Sequence, residues 1–259
     1  MGALRVLAAT QDGVVTTAQC LDLGIPASTM DRRVRSGSWQ RLHRGVLLIH
    51  SGPIGWRSRA HAALLWAGTG AVLSHAAAGF LHELVQTPPR LIDVSVPHGR
   101  RVMPTLGLRV HPRRVPLIGV GRPLRTSRIE TLVDLLADAE STDRAIGLLT
   151  DAVRAGVGVT DVAELLDRRP NMRRHALVRE LIGAVRAGIE SPMELRFHRR
   201  VERRHHLPTA TLQVRAVVDG RLTRADALYE GQCVRVELDG IVAHAGRRGM
   251  TTCGGTPPS

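Results

Sequence analysis

The sequence contains no lysine, only one asparagine (Asn171), and just three Trp, two Phe and one Tyr in 259 residues. All 36 Lys-plus-Arg positions are therefore arginine. Arg, Ala, Gly and Val in excess with no Lys is the composition a GC-rich genome writes, so part of this basicity requires no ligand. Codon usage does not set the sign of the balance, however. Thirty-six cations against 23 acids give a net charge of +13, which favours a polyanionic partner, nucleic acid first. The three cysteines, Cys20, Cys233 and Cys253, show no CxxC or Cys/His spacing. That argues for a reducing compartment and against a zinc site. Long apolar runs are also lacking. The most apolar stretch, residues 60–73, is interrupted by His61 and by glycines and is too short to span a bilayer, and no leader-like segment opens the chain. The expectation is a cytoplasmic protein with no membrane association and no small-molecule cofactor.

A hydrophobic content of 43% suffices for a buried core. The order of elements predicts an α+β chain in several parts. Residues 4–9 form a helix that stops at Asp12-Gly13. Thr16 or Thr17 caps a second helix ending at Gly24, and Ser28 caps a third over 29–36. Residues 39–42 and 44–49 read as two strands around a tight turn. Helix, helix, turn, helix and hairpin is the order of a winged helix-turn-helix, assigned to residues 1–53. A mixed α/β middle domain, 54–168, follows, with helices over 57–67 and 74–84, alternating strands over 91–96 and 108–111, and an amphipathic helix over 127–138 with Ile129, Leu132, Val133, Leu135 and Leu136 inward. Helices at 142–155 and 160–166 complete it. A linker is expected at 168–174. The last domain, 175–248, reads as a helix (191–203), strands 212–218 and 224–229 joined by Asp219-Gly220, and a strand over 234–238.

The third helix and hairpin carry Ser28, Thr29, Arg32, Arg33, Arg35, Arg41 and Arg44. Arginine can read guanine bidentately or clamp phosphate, and Ser or Thr at a helix start can bond backbone oxygens. The alternative is a solvated helix face in an Arg-rich chain. On the run from Leu4 to Ile49, the N-terminal part resembles the winged-helix domain of AbiE-type antitoxins. SHAAAGFLHEL, LIDVSV, LRVHP and RPLRTSRIETLVDLLA resemble the middle part of that group, so the likeness spans residues 3–139. It implies double-stranded DNA as partner, autoregulation of an operon, and a toxin protein as a further partner that the sequence leaves open.

In the last domain three segments hold carboxylates: Glu190 at a helix start, Asp226 in Arg-Ala-Asp-Ala, and Glu237 with Asp239 in Glu-Leu-Asp-Gly, with His244 beyond. Glu237 and Asp239 are two apart on a strand and share a face. Carboxylates gathered at a strand end form a hard-oxygen site for Mg²⁺ or Mn²⁺, which polarises phosphate and activates water. The alternative is ordinary surface acids. Over residues 187–248 the pattern resembles the PD-(D/E)XK nucleases, nearest the very-short-patch-repair branch. The resemblance implies a restriction-endonuclease-like core, metal ligation by Asp226 and Glu237, an orienting role for Glu190, and His244 as general base or phosphate contact. Asp239 stands where the superfamily often has lysine. Glu194, one turn before His198, reads as half of a helix-surface pair.

Residues 249–259 have no periodicity. Another reading frame of their codons allows an Asp/Arg-rich run, so the tail is expected to be frameshifted and the domain cut short. Two functions stay open: a DNA-binding protein with a Mg²⁺-dependent endonuclease-like domain of doubtful activity, and a transcriptional autoregulator of the antitoxin type without catalysis.

Overall fold

The computed structural model describes residues 2–116, 118–186, 192–218, 221–232, 234–236 and 238. Glu190, Glu237, Asp239, His244, the Asp219-Gly220 turn and the 249–259 tail lie outside them. The chain is mixed α+β, with three three-stranded sheets among the described residues, and divides into two compact units, Met1–Ile182 and Gly183–Ser259.

The first unit opens with α1 (Gly2–Ala9), β1 (Val14–Thr16), α2 (Thr17–Asp22), α3 (Ala27–Arg35), β2 (Gln40–His43) and β3 (Val46–Leu48). The short strand β1 pairs with β3 to make the sheet order β1-β3-β2. Thr16 caps α2 through a reciprocal pair with Gln19: each side chain takes the other's backbone N–H, so two orphan donors at the helix start are satisfied. No side chain caps α3, whose N-cap is Pro26. Ser28 thus lies inside the helix rather than capping it. Leu4, Ala8, Val15, Cys20, Ile25, Met30, Trp39 and Leu47 form the core beneath these elements.

Helix α4 (Trp56–Ala67) is rich in alanine because both its sides are covered. Ala62 packs with Val14, Val46 and Leu48 on one side, while Ala60, Ala63 and Ala67 join a second core on the other. Asp12 pins it in place: its backbone carbonyl accepts from Ser58 Oγ, and its carboxylate meets His61 Nδ1 at 2.8 Å and Arg57 Nε at 3.1 Å.

The second core belongs to β4 (Val72–Leu73), α5 (His75–Leu81), β5 (Ile92–Pro97) and β6 (Leu108–Arg113), with β4 antiparallel and β6 parallel to β5. Alternation along β5 sends Ile92, Val94 and Val96 into this apolar core. Asp93 and Ser95 face the other way, yet both are buried too. They lie among Arg109, His111 and Arg113 of β6 and Asp134 of α6 (Arg128–Asp138). Ser127 caps α6 with a reciprocal Glu130 pair. The buried side of α6 includes Leu132, Val133, Leu135 and Leu136, as the periodicity predicts, but also Thr131 and Asp134, whereas Ile129 is only half-buried. Asp134 can be buried because Arg113 and Arg169 both bind its carboxylate. Helices α7 (Thr142–Arg154), α8 (Val159–Asp167) and α9 (His175–Arg186) follow.

In the second unit, α10 (Pro192–Phe197) runs into a π-helical turn over His198–Glu202, so the expected single helix changes its winding there. Strands β7 (Thr211–Val218), β8 (Arg221–Tyr229) and β9 (Val234–Val236) form an antiparallel meander. Among the described residues no helix is long and apolar enough to cross a membrane.

Candidate nucleic-acid interface

Helix α3 divides into two faces. Met30 is buried and Val34, one turn on, packs against the same core. Ser28, Arg32 and Arg35 are spaced i, i+4 and i+7, which puts them on one stripe, and all three are exposed, as is Asp31 beside them. The stripe is short, since nine residues span about 13 Å.

Two features hold this face rigid. The chain leaving α3 folds back so that the Arg33 carbonyl accepts hydrogen bonds from Trp39 N–H, Ser36 Oγ and Ser38 Oγ. Trp39 is then buried, and the Arg33 guanidinium lies over its ring, 5.1 Å from the centroid. The hairpin is tied to the helix by an ion pair between Arg41 Nη2 and Asp31 Oδ1 at 3.4 Å. Both partners are about half exposed, so the bond orients the hairpin more than it stabilises the fold. Arg44 stands exposed at the hairpin tip, before Gly45, whose φ of +75° suits the turn.

Of the seven residues singled out from the sequence, Ser28, Arg32, Arg35, Arg41 and Arg44 are thus exposed on α3 and the adjoining hairpin. Thr29 is half-buried. Arg33 is half-buried as well and engaged with Trp39, so its part is to brace the loop after α3. No alternation or spacing in the sequence announces that contact.

The carboxylates of the second unit are less completely placed. Asp226, half-buried on β8, accepts a hydrogen bond from the Leu238 amide at 2.8 Å. Leu238 lies between Glu237 and Asp239 in the sequence. Glu202 was not singled out, yet it is the buried acid that organises this unit. It is 3% exposed and receives the Ala210 N–H and the Tyr229 hydroxyl, both at 2.9 Å, and it meets His198 Nδ1 at 2.6 Å. Burial and the adjacent Glu202 carboxylate push the Tyr229 phenol up to about 12. His198 therefore pairs forward with Glu202. Glu194, expected to be its partner on the helix surface, is buried instead.

No curated protein matches the chain. Among solved structures it is similar to the crystal structure of the RV2827C protein from Mycobacterium tuberculosis, at 18% identity and a TM-score of 0.48 over 70% of this chain and 76% of that one. A family match covers less than the 3–139 span of the sequence resemblance, but it runs from within α1 past the end of β3: residues 3–50 match the family described as transcriptional regulator, AbiEi antitoxin.

Proposed function

We propose that the chain is a DNA-binding transcriptional regulator of the antitoxin type, whose N-terminal module acts as a winged helix-turn-helix. In this reading α3 is the recognition helix and the β2–β3 hairpin is the wing. The observation that carries it is the braced stripe of Ser28, Arg32 and Arg35 beside Arg41 and Arg44. A helix, about 10–12 Å across with its side chains, fits a major groove about 12 Å wide. The arginines on its outer face would bond guanine edges or phosphates, and the hairpin arginines would hold the flanking backbone. The family matched by residues 3–50 supports the same reading. A toxin protein as second partner belongs to this proposal.

The test is fluorescence anisotropy of a labelled duplex from the gene's own promoter region, across about 50–200 mM salt. Binding should weaken steeply with salt as condensed counterions are released, by about 0.9 log units per log salt for each phosphate contacted. The double variant Arg32→Ala/Arg35→Ala should bind at least about tenfold more weakly and with a shallower slope. Unchanged affinity at low salt would remove α3 as the DNA-reading element.

A second reading concerns the C-terminal unit as a restriction-endonuclease-like core, with Asp226 and Glu237 as Mg²⁺ or Mn²⁺ ligands and Glu190, Asp239 and His244 around them. What favours it is the Asp226 carboxylate held at the Leu238 amide. Mn²⁺ should bind in calorimetry and fail to bind Asp226→Ala/Glu237→Ala. Equal heats from both proteins would leave this unit without a metal site.

A further inference from the structure

The polar side of β5 and β6 holds a cluster that the DNA-binding proposal does not use. The parallel register sets Asp93 opposite Arg109 and Ser95 opposite His111, so alternation places these four side chains on one face of the sheet. The start of α5 adds His75. This residue has φ +47°, a left-handed conformation that is costly for a side chain of its size and is held here by its surroundings. The His75 ring stacks on the His111 ring with centroids 3.7 Å apart.

Asp93 is 1% exposed, and its two oxygens differ. Oδ1 takes Arg109 Nε at 2.5 Å and meets His111 Nε2 at 2.9 Å. Oδ2 is buried and meets no hydrogen-bond donor among the described residues. A buried carboxylate oxygen left without a donor carries its full desolvation cost, so it calls for a cation or a proton.

We propose that His75, Asp93 and His111 bind a first-row transition-metal ion, with Zn²⁺ the best-suited species. Each supplies one ligand atom, and the three atoms lie within 4.8 Å of one another. Two imidazoles and one carboxylate form a borderline-soft donor set that suits Zn²⁺ or Co²⁺ better than Mg²⁺. The set uses no thiolate, so the scattered cysteines do not bear on it. Binding requires the two rings to tilt out of their stack, so that their in-plane lone pairs converge, and the ligand atoms to draw together by roughly 1 Å to reach bonds of about 2.0–2.1 Å.

The groups that would steady such ligands are in place. Arg109 holds Asp93 through Oδ1, and Ser74 Oγ lies 3.0 Å from His75 Nδ1. Asp134 and Asp138 each lie 3.9 Å from a His75 nitrogen. Local charge is balanced: Asp93, Asp134, Asp138, Glu130 and Glu140 stand against Arg109, Arg113, Arg169, Arg144 and Arg173. A cavity of about 420 Å³ is lined by His75, Arg109, Asp138, Glu140, Arg144 and Arg173, so the His75 edge of the cluster borders open space.

The experiment uses the full, untagged chain carrying Asp226→Ala/Glu237→Ala, so that the C-terminal carboxylates cannot supply the signal, and the probes are Co²⁺ and Zn²⁺ alone. One equivalent of Co²⁺ should bind and give visible bands that one equivalent of Zn²⁺ displaces and millimolar Mg²⁺ does not. His75→Ala, Asp93→Asn and His111→Ala should each weaken Co²⁺ binding at least about 100-fold, whereas His205→Ala/His206→Ala, at two exposed histidines, should leave it unchanged. Hydrogen exchange needs no substitution at the site and therefore survives a variant that fails to fold. Zn²⁺ should protect amides of β5, β6 and the start of α5. The proposal is overturned by no stoichiometric binding, by full affinity in the folded His75→Ala and His111→Ala proteins, by displacement with Mg²⁺, by loss of binding in His205→Ala/His206→Ala, or by protection confined to other segments. Because DNA binding is read separately, on α3, failure here leaves the regulator proposal standing.

Discussion

On α3 and its hairpin, Arg32, Arg35, Arg41 and Arg44 stand in solvent. At the polar cluster, Arg113 and Arg169 keep only 22% and 21% of their side chains exposed and converge on opposite oxygens of Asp134, which keeps 4%. The same residue type serves two purposes within one compact unit. Exposed guanidiniums without a tight carboxylate partner remain available to a polyanion. Guanidiniums fixed on a buried carboxylate are structural, and they add little to the field that steers DNA. The net charge of +13 therefore overstates the cationic surface open to a polyanion, and the distribution of carboxylates decides which arginines count.

The sharpest way to break this comparison is to remove the buried acid. Asp134→Ala leaves two arginines facing each other without their shared partner, and its expected cost is about 3–5 kcal/mol in urea unfolding of the full chain. Asp134→Asn keeps the shape and some hydrogen bonding and should cost less. A loss under about 1 kcal/mol for the alanine variant would mean that water solvates the cluster, and the two sets of arginines would then differ only in location.

The sequence makes one of these regions far more readable than the other. The α3 stripe is local: Ser28, Arg32 and Arg35 recur at helical spacing, and Trp39 and Gly45 bound the elements that follow. The polar cluster is assembled from His75, Asp93, His111, Arg113, Asp134 and Arg169, nearly 100 residues apart at the extremes. Alternation in Ile92-Asp93-Val94-Ser95-Val96 does announce two faces, but local pattern says the polar one should meet water. Only the arginines that β6 and the segment after α8 bring to it allow that face to be buried. Strands β1 and β4, at three and two residues, are too short to show alternation at all. Helix α9 was not anticipated beyond the charged 168–174 segment, although Val178, Leu181 and Ile182 form an apolar stripe that is buried. Of the carboxylates singled out in the second unit, Glu190, Glu237 and Asp239 lie outside the described residues, so strand spacing and the resemblance are what speak for them.

A finer probe compares neighbours on α3. Arg33→Ala removes the guanidinium over Trp39 and the stem beneath it, which should cost about 1 kcal/mol of stability while leaving the salt dependence of DNA binding close to that of the parent protein. Arg32→Ala should do the reverse, with stability within about 0.5 kcal/mol and a shallower salt slope. Thermal unfolding and anisotropy on the same two proteins separate the roles. If Arg33→Ala proves the weaker DNA binder of the two, the cation–π contact gives way on binding and Arg33 belongs to the interface.

The smallest expected effect is at an ion pair whose geometry is as tight as that of the buried one. Arg179 Nη2 lies 2.5 Å from Asp167 Oδ1, the same separation as Arg113 from Asp134, but its partners are 59% and 61% exposed. If distance set the energy, the two pairs would be equivalent. In solvent the Coulombic gain is small, is offset by the entropy of fixing two long side chains, and is screened further by salt. A double-mutant cycle of Arg179→Ala and Asp167→Ala should therefore give a coupling of no more than about 0.5 kcal/mol at low ionic strength, fading by about 1 M salt. A coupling above about 1.5 kcal/mol that survives high salt would show that short contact rather than burial governs ion-pair strength in this chain. Even on that outcome Arg41, whose contact with Asp31 is 3.4 Å, would stay among the arginines open to a polyanion.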